Sequence, residues 1–342
     1  MKKKLTNILK VLAFFSIGAF LFWLVYRKQD FAAIWEVLKN AKYQWLLLSV
    51  SLGLLSHLSR SLRWKLLIKP LGYKPRTNVL FYSVMVMYLS NLAIPRSGEV
   101  VRCATVSKYE KVPFSSLLGT VVTERIIDML MLLLLLVIVL LTQMGVIIDF
   151  LNRNPAIKGN LENLKSYLPL LGVIAVAGLV FIFIAYRNKE KLRKNKLADK
   201  IFGYLEQFWS GIKTVATLED KWAFIGHTVF IWTMYFMMIY VDFKAFDATS
   251  HLNLAAGLTV FVIASFGMVA PSPGGIGTWH FMAIEALKIF GIKADPYGNA
   301  FAIAAHESQT LMLITVGLIS LLALSFVRQK TNSKIHDNEQ QK

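Results

Sequence analysis

The sequence predicts an all-α integral membrane protein with about six full transmembrane helices and two broken re-entrant hairpins from opposite faces, arranged like an inverted repeat. Three observations predict this fold. Hydrophobic residues make up 56% of the 342 residues and charged residues 17%, whereas soluble domains are about 45–50% apolar and about 25% charged. The apolar residues fall into blocks of the length that crosses hydrocarbon about 30 Å thick. Proline and glycine interrupt two of these regions. The composition excludes a disordered chain, a fibrous repeat and an ordinary soluble enzyme.

Nine apolar blocks follow one another along the chain. They are Ile8–Tyr26, Trp45–Leu62, Val79–Ile94, Phe114–Met144, Leu168–Tyr186, Trp222–Val241, Leu254–Ala270, Ile276–Phe290 and Ala300–Val327. The first block resembles a signal peptide, but it ends in Arg27 and Lys28 without a small-residue cleavage site, so we expect an uncleaved helix. Between the first two blocks, residues 31–42 carry apolar side chains at helical spacing, which predicts a short helix on the membrane surface.

Basic residues predict the orientation of the chain. Three stretches rich in lysine and arginine, Met1–Lys10, Arg60–Arg76 and Arg187–Lys200, should be cytoplasmic by the positive-inside rule. The last stretch continues into an amphipathic segment, so a cytoplasmic loop over 187–220 should lie along the inner leaflet. We therefore expect a multi-pass protein of a bacterial cytoplasmic (inner) membrane, with both termini in the cytoplasm.

The predicted domain organisation is simple. A single membrane domain should occupy residues 1–327, and a cytoplasmic, disordered tail should occupy residues 328–342. Three apolar blocks lie between the basic stretches at 60–76 and 187–200, and three full crossings would place the second stretch outside. One block must therefore enter and return, which predicts a first re-entrant hairpin near 79–112.

Both hairpins are marked by helix-breaking residues. In the first hairpin, Pro95 and Gly98 interrupt a short apolar run. In the second, which should cover 254–290, the segment Pro271–Gly277 separates two short apolar arms. Short segments interrupted by glycine and proline in corresponding positions of two halves indicate a transporter site between inverted repeats.

The first group of candidate binding residues is Arg96, Glu99 and Arg102. A spacing of three places them on one helical face with alternating charge. The turn before them offers backbone N–H groups and the positive end of a helix, which together with two guanidinium groups suit a phosphate. The alternative is a surface loop with ordinary ion pairs.

The second group is Glu124, Arg125 and Asp128, at the head of a long apolar helix. They are either partners of Arg96 and Arg102 inside the membrane, or residues of the head-group zone at the end of a helix longer than the bilayer. Three further polar residues near the end of the second block are expected to snorkel to the head groups or to contact anionic lipid: His57, Arg60 and Arg63.

The third group is the turn formed by Pro273, Gly274, Gly275 and Gly277. Glycines allow a backbone to approach a ligand closely and to point N–H groups at it. This turn lacks the Lys-Ser/Thr ending of a nucleotide-binding P-loop, and no predicted strand precedes it. Inside a broken membrane hairpin it is a candidate head-group contact, whereas the alternative is a role in helix packing alone.

The fourth group is His280, His306 and Glu307, three polar residues in apolar surroundings. The histidines are either proton carriers or head-group donors, or buried side chains satisfied by backbone carbonyls. The net charge of +18 is explained by basic loops beside membrane spans, so no nucleic-acid partner is predicted. The single Cys103 excludes an intramolecular disulfide. No catalytic residue, metal site or cofactor is predicted.

Three motifs resemble those of one protein family in order and rough spacing. They are Pro95-Arg96-Ser97-Gly98-Glu99 with Arg102, Thr123-Glu124-Arg125 with Asp128, and Pro273-Gly274-Gly275-Ile276-Gly277. The family is the lysylphosphatidylglycerol synthase transmembrane region, also called flippase-like, which includes the membrane half of multiple peptide resistance factor. The resemblance covers essentially the whole chain. One difference is His280, which stands where the family usually has a glutamate.

The resemblance implies a flippase-like transporter of polar-headed lipids, with the motif residues at its site. The basic side chains favour anionic, phosphate-bearing lipids as partners. Lysyl-lipid synthesis is not implied, since the soluble aminoacyl-transfer domain of the synthase does not occur in this sequence, and a role without catalysis is favoured. The alternatives are an intramembrane transferase acting on a lipid-linked sugar, or an accessory subunit of a lipid-modifying enzyme. A homo-oligomer or a lipid-enzyme partner is compatible with each.

Overall fold

The computed structural model describes residues 30–153, 211–270 and 272–327. These residues form helices, turns and loops, and no strand occurs among them. The predicted first helix, the block at 168–186, the basic stretch at 187–200 and the tail at 328–342 lie outside the described residues. Pro271 also lies outside them. The prediction of an all-α protein is confirmed for the described residues.

Nine α-helices have described bounds. They are α1 (Phe31–Lys39), α2 (Tyr43–Ile68), α3 (Thr77–Ala93), α4 (Gly98–Glu110), α5 (Phe114–Arg153), α6 (Lys221–Phe243), α7 (Leu254–Gly267), α8 (Thr278–Ile289) and α9 (Asn299–Phe326). All but α1 and α4 overlap the apolar blocks, and residues 211–216 are helical as well. Four of the helical segments are long and apolar enough to cross a membrane, namely those containing α2, α5, α6 and α9. The apolar helices α3 and α7 are shorter, with 17 and 14 residues.

The predicted surface helix forms α1 and ends three residues earlier than expected. Asp30 caps its N-terminus by accepting hydrogen bonds from the backbone N–H groups of Ala32 and Ala33, which satisfies two of the four unpaired donors there. Ile34 is buried, whereas Trp35 on the other face is exposed. The helix therefore has the amphipathic character that its sequence predicts.

Helices α2 and α6 form an antiparallel pair that ion pairs close at both ends. At the start of α2, Lys42 Nζ lies 2.7 Å from Asp247 Oδ1, beyond the end of α6. At the other end, Lys69 Nζ lies 2.6 Å from Asp220 Oδ2, just before α6 begins. Since an α-helix rises about 1.5 Å per residue, α2 is about 39 Å long, enough to span hydrocarbon.

Helices α3 and α4 form a helical hairpin, here called hairpin 1. Its base is closed by Arg76, whose Nε donates to Glu110 Oε1 at 2.7 Å. At its other end, Gly98 packs so tightly that an added Cβ would lie 2.3 Å from the carbonyl oxygen of Met87. Lys65 of α2 donates to Thr77 Oγ1, which places the base of hairpin 1 beside the C-terminal end of α2.

Helices α7 and α8 form the second hairpin, hairpin 2, which follows the C-terminal end of α6. Asn253 caps α7, and Gly267 at its end packs directly on the backbone of Thr278 and Trp279. The bases of the two hairpins therefore lie at opposite ends of the α2–α6 pair.

The tips of the two hairpins touch, and we call this the tip contact. Arg96 in the turn of hairpin 1 donates from Nη2 to the carbonyl oxygen of Val269 in hairpin 2, at 2.7 Å. Leu92 fills the space beside Gly274, where a Cβ would lie 2.4 Å from the leucine Cδ2. Gly274 has φ +57, a conformation that glycine adopts without strain. The tip contact joins the two halves of the described chain.

Labelling of single cysteines tests the orientation that the basic stretches predict. Lys74 at the base of hairpin 1 and Lys293 after hairpin 2 are both exposed. On a Cys103→Ser background, we expect a membrane-impermeant maleimide to label Lys293→Cys in intact cells and Lys74→Cys only after permeabilisation. Labelling of both variants from the same side would contradict the prediction that the hairpins open to opposite faces.

Candidate functional site

Seven charged side chains from α2, α4 and α5 meet in one network, which we call the charge cluster. They are the arginines Arg60, Arg63, Arg102 and Arg125 and the carboxylates Glu99, Glu124 and Asp128. Four arginines face three carboxylates, so at neutral pH the cluster carries one net positive charge.

Glu124 is the centre of the charge cluster and is fully buried. Its Oε1 accepts from Arg60 Nη1 and Arg63 Nη2, each at 2.9 Å, and its Oε2 accepts from Arg102 Nη2 at 2.8 Å. A buried carboxylate is tolerated only when it is paired and hydrogen-bonded, and three guanidinium groups meet that demand. In turn, each of these arginines depends on Glu124 for its neutralisation.

Asp128 and Glu99 complete the neutralisation of the arginines. Asp128 lies one helical turn after Glu124, and its Oδ1 is 2.9 Å from Arg63 Nη2. Glu99 lies three residues before Arg102 on α4, and its Oε2 is 2.7 Å from Arg102 Nε. Helical spacing explains the Glu99–Arg102 contact and places Asp128 beside Glu124, because residues three or four apart share a helix face.

Arg125 differs from the other arginines in being accessible. Its side chain is 44% exposed, whereas those of Arg60, Arg63 and Arg102 are 0–5% exposed. Its contacts to the three carboxylates are also longer, at 3.1–3.4 Å. Arg125 is therefore the least tightly held cation of the charge cluster, and it is the arginine through which the cluster reaches the surface of the described helices.

Aromatic side chains surround the charge cluster. Tyr235 of α6 accepts from Arg60 Nη2 at 3.2 Å, and its hydroxyl lies 3.4 Å from that of Tyr88 on α3. Trp64 stacks under Arg102, with 4.5 Å between the guanidinium carbon and the ring centroid, which is a favourable cation–π distance. The cluster is thereby tied to α3 and α6 as well.

The charge cluster lies well inside the bundle along its long helices. Arg60 precedes the end of α2 by eight residues, or about 12 Å. Glu124 follows the start of α5 by ten residues, or about 15 Å. Ionisable residues at such depth in a membrane span are expensive and are usually functional.

The structure joins most of the first two predicted groups but separates Arg96 from them. Glu99, Arg102, Glu124, Arg125 and Asp128 all belong to the charge cluster. Of the two alternatives for the second group, the geometry agrees with buried partners of Arg102. Arg96 instead is exposed in the turn before α4, with φ 62. It does not share a helix face with the others, because α4 begins only at Gly98.

The expectation that His57, Arg60 and Arg63 reach the head groups is wrong. Their side chains are buried, and the two arginines bind Glu124. A signal was present in the sequence, since small and polar residues recur every three or four positions along one face of α2. That buried stripe is Ser49, Gly53, Ser56, Arg60, Arg63 and Leu67.

The fourth predicted group also comes together, at the turn of hairpin 2. The ligand-type atoms of His280, His306 and Glu307 all lie within 4.8 Å of one another. The backbone N–H of Gly277 donates to His280 Nδ1 at 3.3 Å, which places the ring proton on Nε2, 3.5 Å from Glu307 Oε1. A proton on this nitrogen disfavours metal binding there, and Glu307 hydrogen bonds instead to His306, at 3.1 Å.

His306 fastens α9 to the glycine turn. Its Nε2 lies 3.0 Å from the carbonyl oxygen of Gly274, and its Nδ1 lies 3.1 Å from Glu307 Oε1. The N–H groups of Gly275 and Gly277 donate to Ser272 and His280 within hairpin 2. The buried Pro273 begins this turn. In this conformation those two amides serve the turn itself, and the proposed head-group contact stays a prediction.

Comparisons with known proteins find a matching family profile and similar proteins. The sequence profile of the lysylphosphatidylglycerol synthase TM region matches residues 7–317. The UPF0104 membrane protein MJ1595 of Methanocaldococcus jannaschii is 23% identical over 355 residues, covering 98% of this chain and 99% of that protein. Glycosyltransferase AglD of Haloferax volcanii is 23% identical over 294 residues, covering 78% of this chain and 46% of that protein. This chain thus matches less than half the length of AglD. No solved structure matches the chain.

Proposed function

This chain belongs to the lysylphosphatidylglycerol synthase TM region family, and on that premise we propose that it moves lipids with anionic, phosphate-bearing head groups between membrane leaflets. It is a multi-pass membrane protein with a membrane lipid-related role. The observation that best supports the finer proposal is the net positive charge of the charge cluster, open to the exterior at Arg125. We place the protein in a bacterial cytoplasmic membrane with both termini inside.

The proposal follows from charge balance at depth. A phosphate diester brings one negative charge, which neutralises the single excess positive charge of the cluster. Guanidinium groups bind phosphate oxygens in a bidentate, charge-assisted manner. Arg125 is held by contacts of 3.1–3.4 Å, so it exchanges a carboxylate for a phosphate more readily than Arg63 or Arg102. The lipid tails remain in the hydrocarbon beside the helices.

The two hairpins supply the route from one leaflet to the other. We propose that hairpin 1 enters the bilayer from the cytoplasmic face and hairpin 2 from the outer face, as re-entrant elements. Their bases lie at opposite ends of the α2–α6 pair, and their tips meet through Arg96 and Val269. Parting of the tip contact would then open the cluster towards one face at a time, which is the behaviour expected of inverted-repeat transporters.

Lipid translocation by purified protein tests the proposal. In vesicles containing fluorescent phosphatidylglycerol, added dithionite bleaches the outer leaflet only, so a functional protein increases the bleached fraction. We expect faster movement of phosphatidylglycerol than of zwitterionic phosphatidylcholine. Equal rates for protein-containing and protein-free vesicles would contradict the proposal.

Arg125→Gln should lower the rate of phosphatidylglycerol movement about tenfold, which corresponds to ~1.4 kcal/mol of lost head-group binding. Arg125→Lys should have an intermediate rate, because lysine keeps the charge but loses the bidentate geometry. The matched control is Lys39→Gln, which removes a cation of similar exposure, 50%, from a surface ion pair. A rate for Arg125→Gln equal to that of the control would exclude Arg125 from the site.

A second candidate function is a transferase acting on a lipid-linked sugar. It is supported by the close grouping of His280, His306 and Glu307 and by the similarity to a protein named a glycosyltransferase. Turnover of a lipid-linked sugar by the purified protein, lost in Glu307→Gln, would support this candidate. Lipid movement without any such turnover would favour the transporter.

A further inference from the structure

A buried acid lies far from the charge cluster, at the meeting point of α2, α6 and α9. Asp242, the penultimate residue of α6, is 1% exposed. Ser49 of α2 donates to Asp242 Oδ2 at 3.1 Å, and Gln309 of α9 donates from Nε2 to Ser49 Oγ at 3.1 Å. We call these three residues the Asp242 network. Its hydrogen bonds run in one direction and end on the carboxyl group.

The packing of α2 against α9 leaves space for the Asp242 network. An added Cβ on Gly53 would lie 2.4 Å from Gln309 Oε1, so the glycine leaves room for the Gln309 amide group to pack against α2. Within the described chain, Asp242 Oδ1 and Gln309 Oε1 have no hydrogen-bond partner. Two acceptor oxygens without donors in a buried site indicate that a positively charged or hydrogen-bonding species belongs there.

Asp242 lacks the partners that stabilise Glu124. Four guanidinium groups contact Glu124, three of them within 2.9 Å, whereas no basic side chain of residues 30–153, 211–270 and 272–327 forms an ion pair with Asp242. An isolated carboxylate in an apolar interior is so unfavourable that it takes up a proton instead. Asp242 therefore differs in chemical state from Glu124 because their surroundings differ.

The charged groups on the neighbouring helices are engaged elsewhere. On α2, Arg60 and Arg63 bind the charge cluster, about 17 and about 21 Å along the helix from Ser49. On α9, His306 contacts Gly274 and Glu307. The packed helix α7 has no ionisable residue.

The basic residues near the end of α6 are occupied as well. Lys244, two residues beyond Asp242, donates to the carbonyl oxygen of Ser250. Lys42, at the start of α2, pairs with the exposed Asp247. The Asp242 carboxyl group is thus left with hydroxyl and amide neighbours, which suit a neutral acid.

We infer that Asp242 is a proton-binding site, protonated in this conformation, and that its proton is exchanged with water when α2, α6 and α9 separate during lipid movement. In the closed bundle the proton remains on the carboxyl group. In the opened bundle the O–H bond breaks, the proton passes to water, and the hydrated carboxylate is left behind. The link to lipid movement rests on the proposed function, whereas the protonated state of Asp242 does not.

Infrared spectroscopy of the purified protein at neutral pH tests the protonated state. The carboxylates of the charge cluster and the buried Glu110 pair with arginines, whereas no described basic side chain pairs with Asp242, so the C=O stretch of a neutral carboxylic acid is expected from Asp242. We expect this band in the wild type and in the control Glu36→Gln, which removes an exposed carboxylate paired with Lys39, and its loss in Asp242→Asn. Its absence from the wild type, or its persistence unchanged in Asp242→Asn, would overturn the inference. If Asp242→Asn does not fold, a shift of the band in Asp242→Glu gives the same assignment.

A pH gradient across vesicles tests the coupling separately. We expect the rate of phosphatidylglycerol movement to change severalfold between opposite gradients in the wild type and in Glu36→Gln, and to be insensitive to the gradient in Asp242→Asn. A gradient response retained by Asp242→Asn would overturn the coupling. Vesicles in which the wild type moves no lipid, while the acid band is present, would refute the proposed function and leave the proton site standing.

Discussion

Replacing Glu124 with glutamine is expected to lower the free energy of unfolding by about 3–5 kcal/mol, since removal of one partner strands buried charges. Glu124 is fully buried and contacts three guanidinium groups within 2.9 Å. Glutamine keeps the shape but turns an NH2 group towards an arginine and leaves four cations facing two carboxylates. Thermal unfolding in detergent, followed by size-exclusion chromatography, measures the effect.

Two further variants test whether the loss of stability comes from the stranded buried charges. Glu36→Gln removes the carboxylate of an exposed ion pair with Lys39, and its loss should stay below about 1 kcal/mol. The double variant Arg60→Gln, Glu124→Gln removes one charge of each sign and should recover part of the lost stability. A Glu124→Gln protein as stable as the Glu36→Gln control would mean that the charge cluster does not depend on its central carboxylate.

Gly267→Ala should destabilise the protein by about 1–3 kcal/mol through overpacking. The added methyl would lie 2.7 Å from the carbonyl oxygen of Thr278 and 2.8 Å from Trp279 Cα, and backbone atoms cannot rotate away. The Thr278 hydroxyl also donates to the Gly267 carbonyl at 2.8 Å, which fastens hairpin 2 at this crossing. Lipid movement should fall together with stability, because the turn that follows carries the tip contact.

The matched control is Gly226→Ala in α6, where nothing lies within 4 Å of the added methyl. Alanine is the better helix former by up to about 1 kcal/mol, so this variant should be as stable as the wild type or more so. Equal melting temperatures for the two variants would show that α7 and α8 part readily at Gly267, and that hairpin 2 is not a fixed unit.

The helices of this protein were largely predictable because local signals dominate them. The blocks Phe114–Met144 and Trp222–Val241 became α5 and α6, with ends shifted by up to nine residues. Proline and glycine marked both hairpin turns, since they cannot continue a helix without loss. The two hairpins were thus predictable from the prolines and glycines at their turns, whereas the contact between their tips depends on packing between distant segments.

The charge cluster was only partly predictable. The spacing of the motifs indicates Glu99, Glu124 and Asp128 as site residues. The position of Arg60 and Arg63 near the end of an apolar block predicts instead that they contact the head groups. Basic residues near the end of an apolar block usually snorkel, so the sequence alone does not indicate that Arg60 and Arg63 are buried. The partner that overrides this tendency, Glu124, lies more than 60 residues further along the chain. Asp242 likewise attracts notice only once Ser49 and Gln309 are seen beside it.

The sharing of one carboxylate by arginines of α2 has a consequence for biogenesis. Arg60 and Arg63 leave the ribosome long before Glu124 is synthesised, and an unpaired arginine at the centre of a span disfavours insertion by up to about 2.5–3.5 kcal/mol. A newly made α2 therefore has no counter-charge of its own in the lipid. We expect the translocon or an insertase to retain α2 until α5 emerges, so that the two helices enter the bilayer as a neutralised pair.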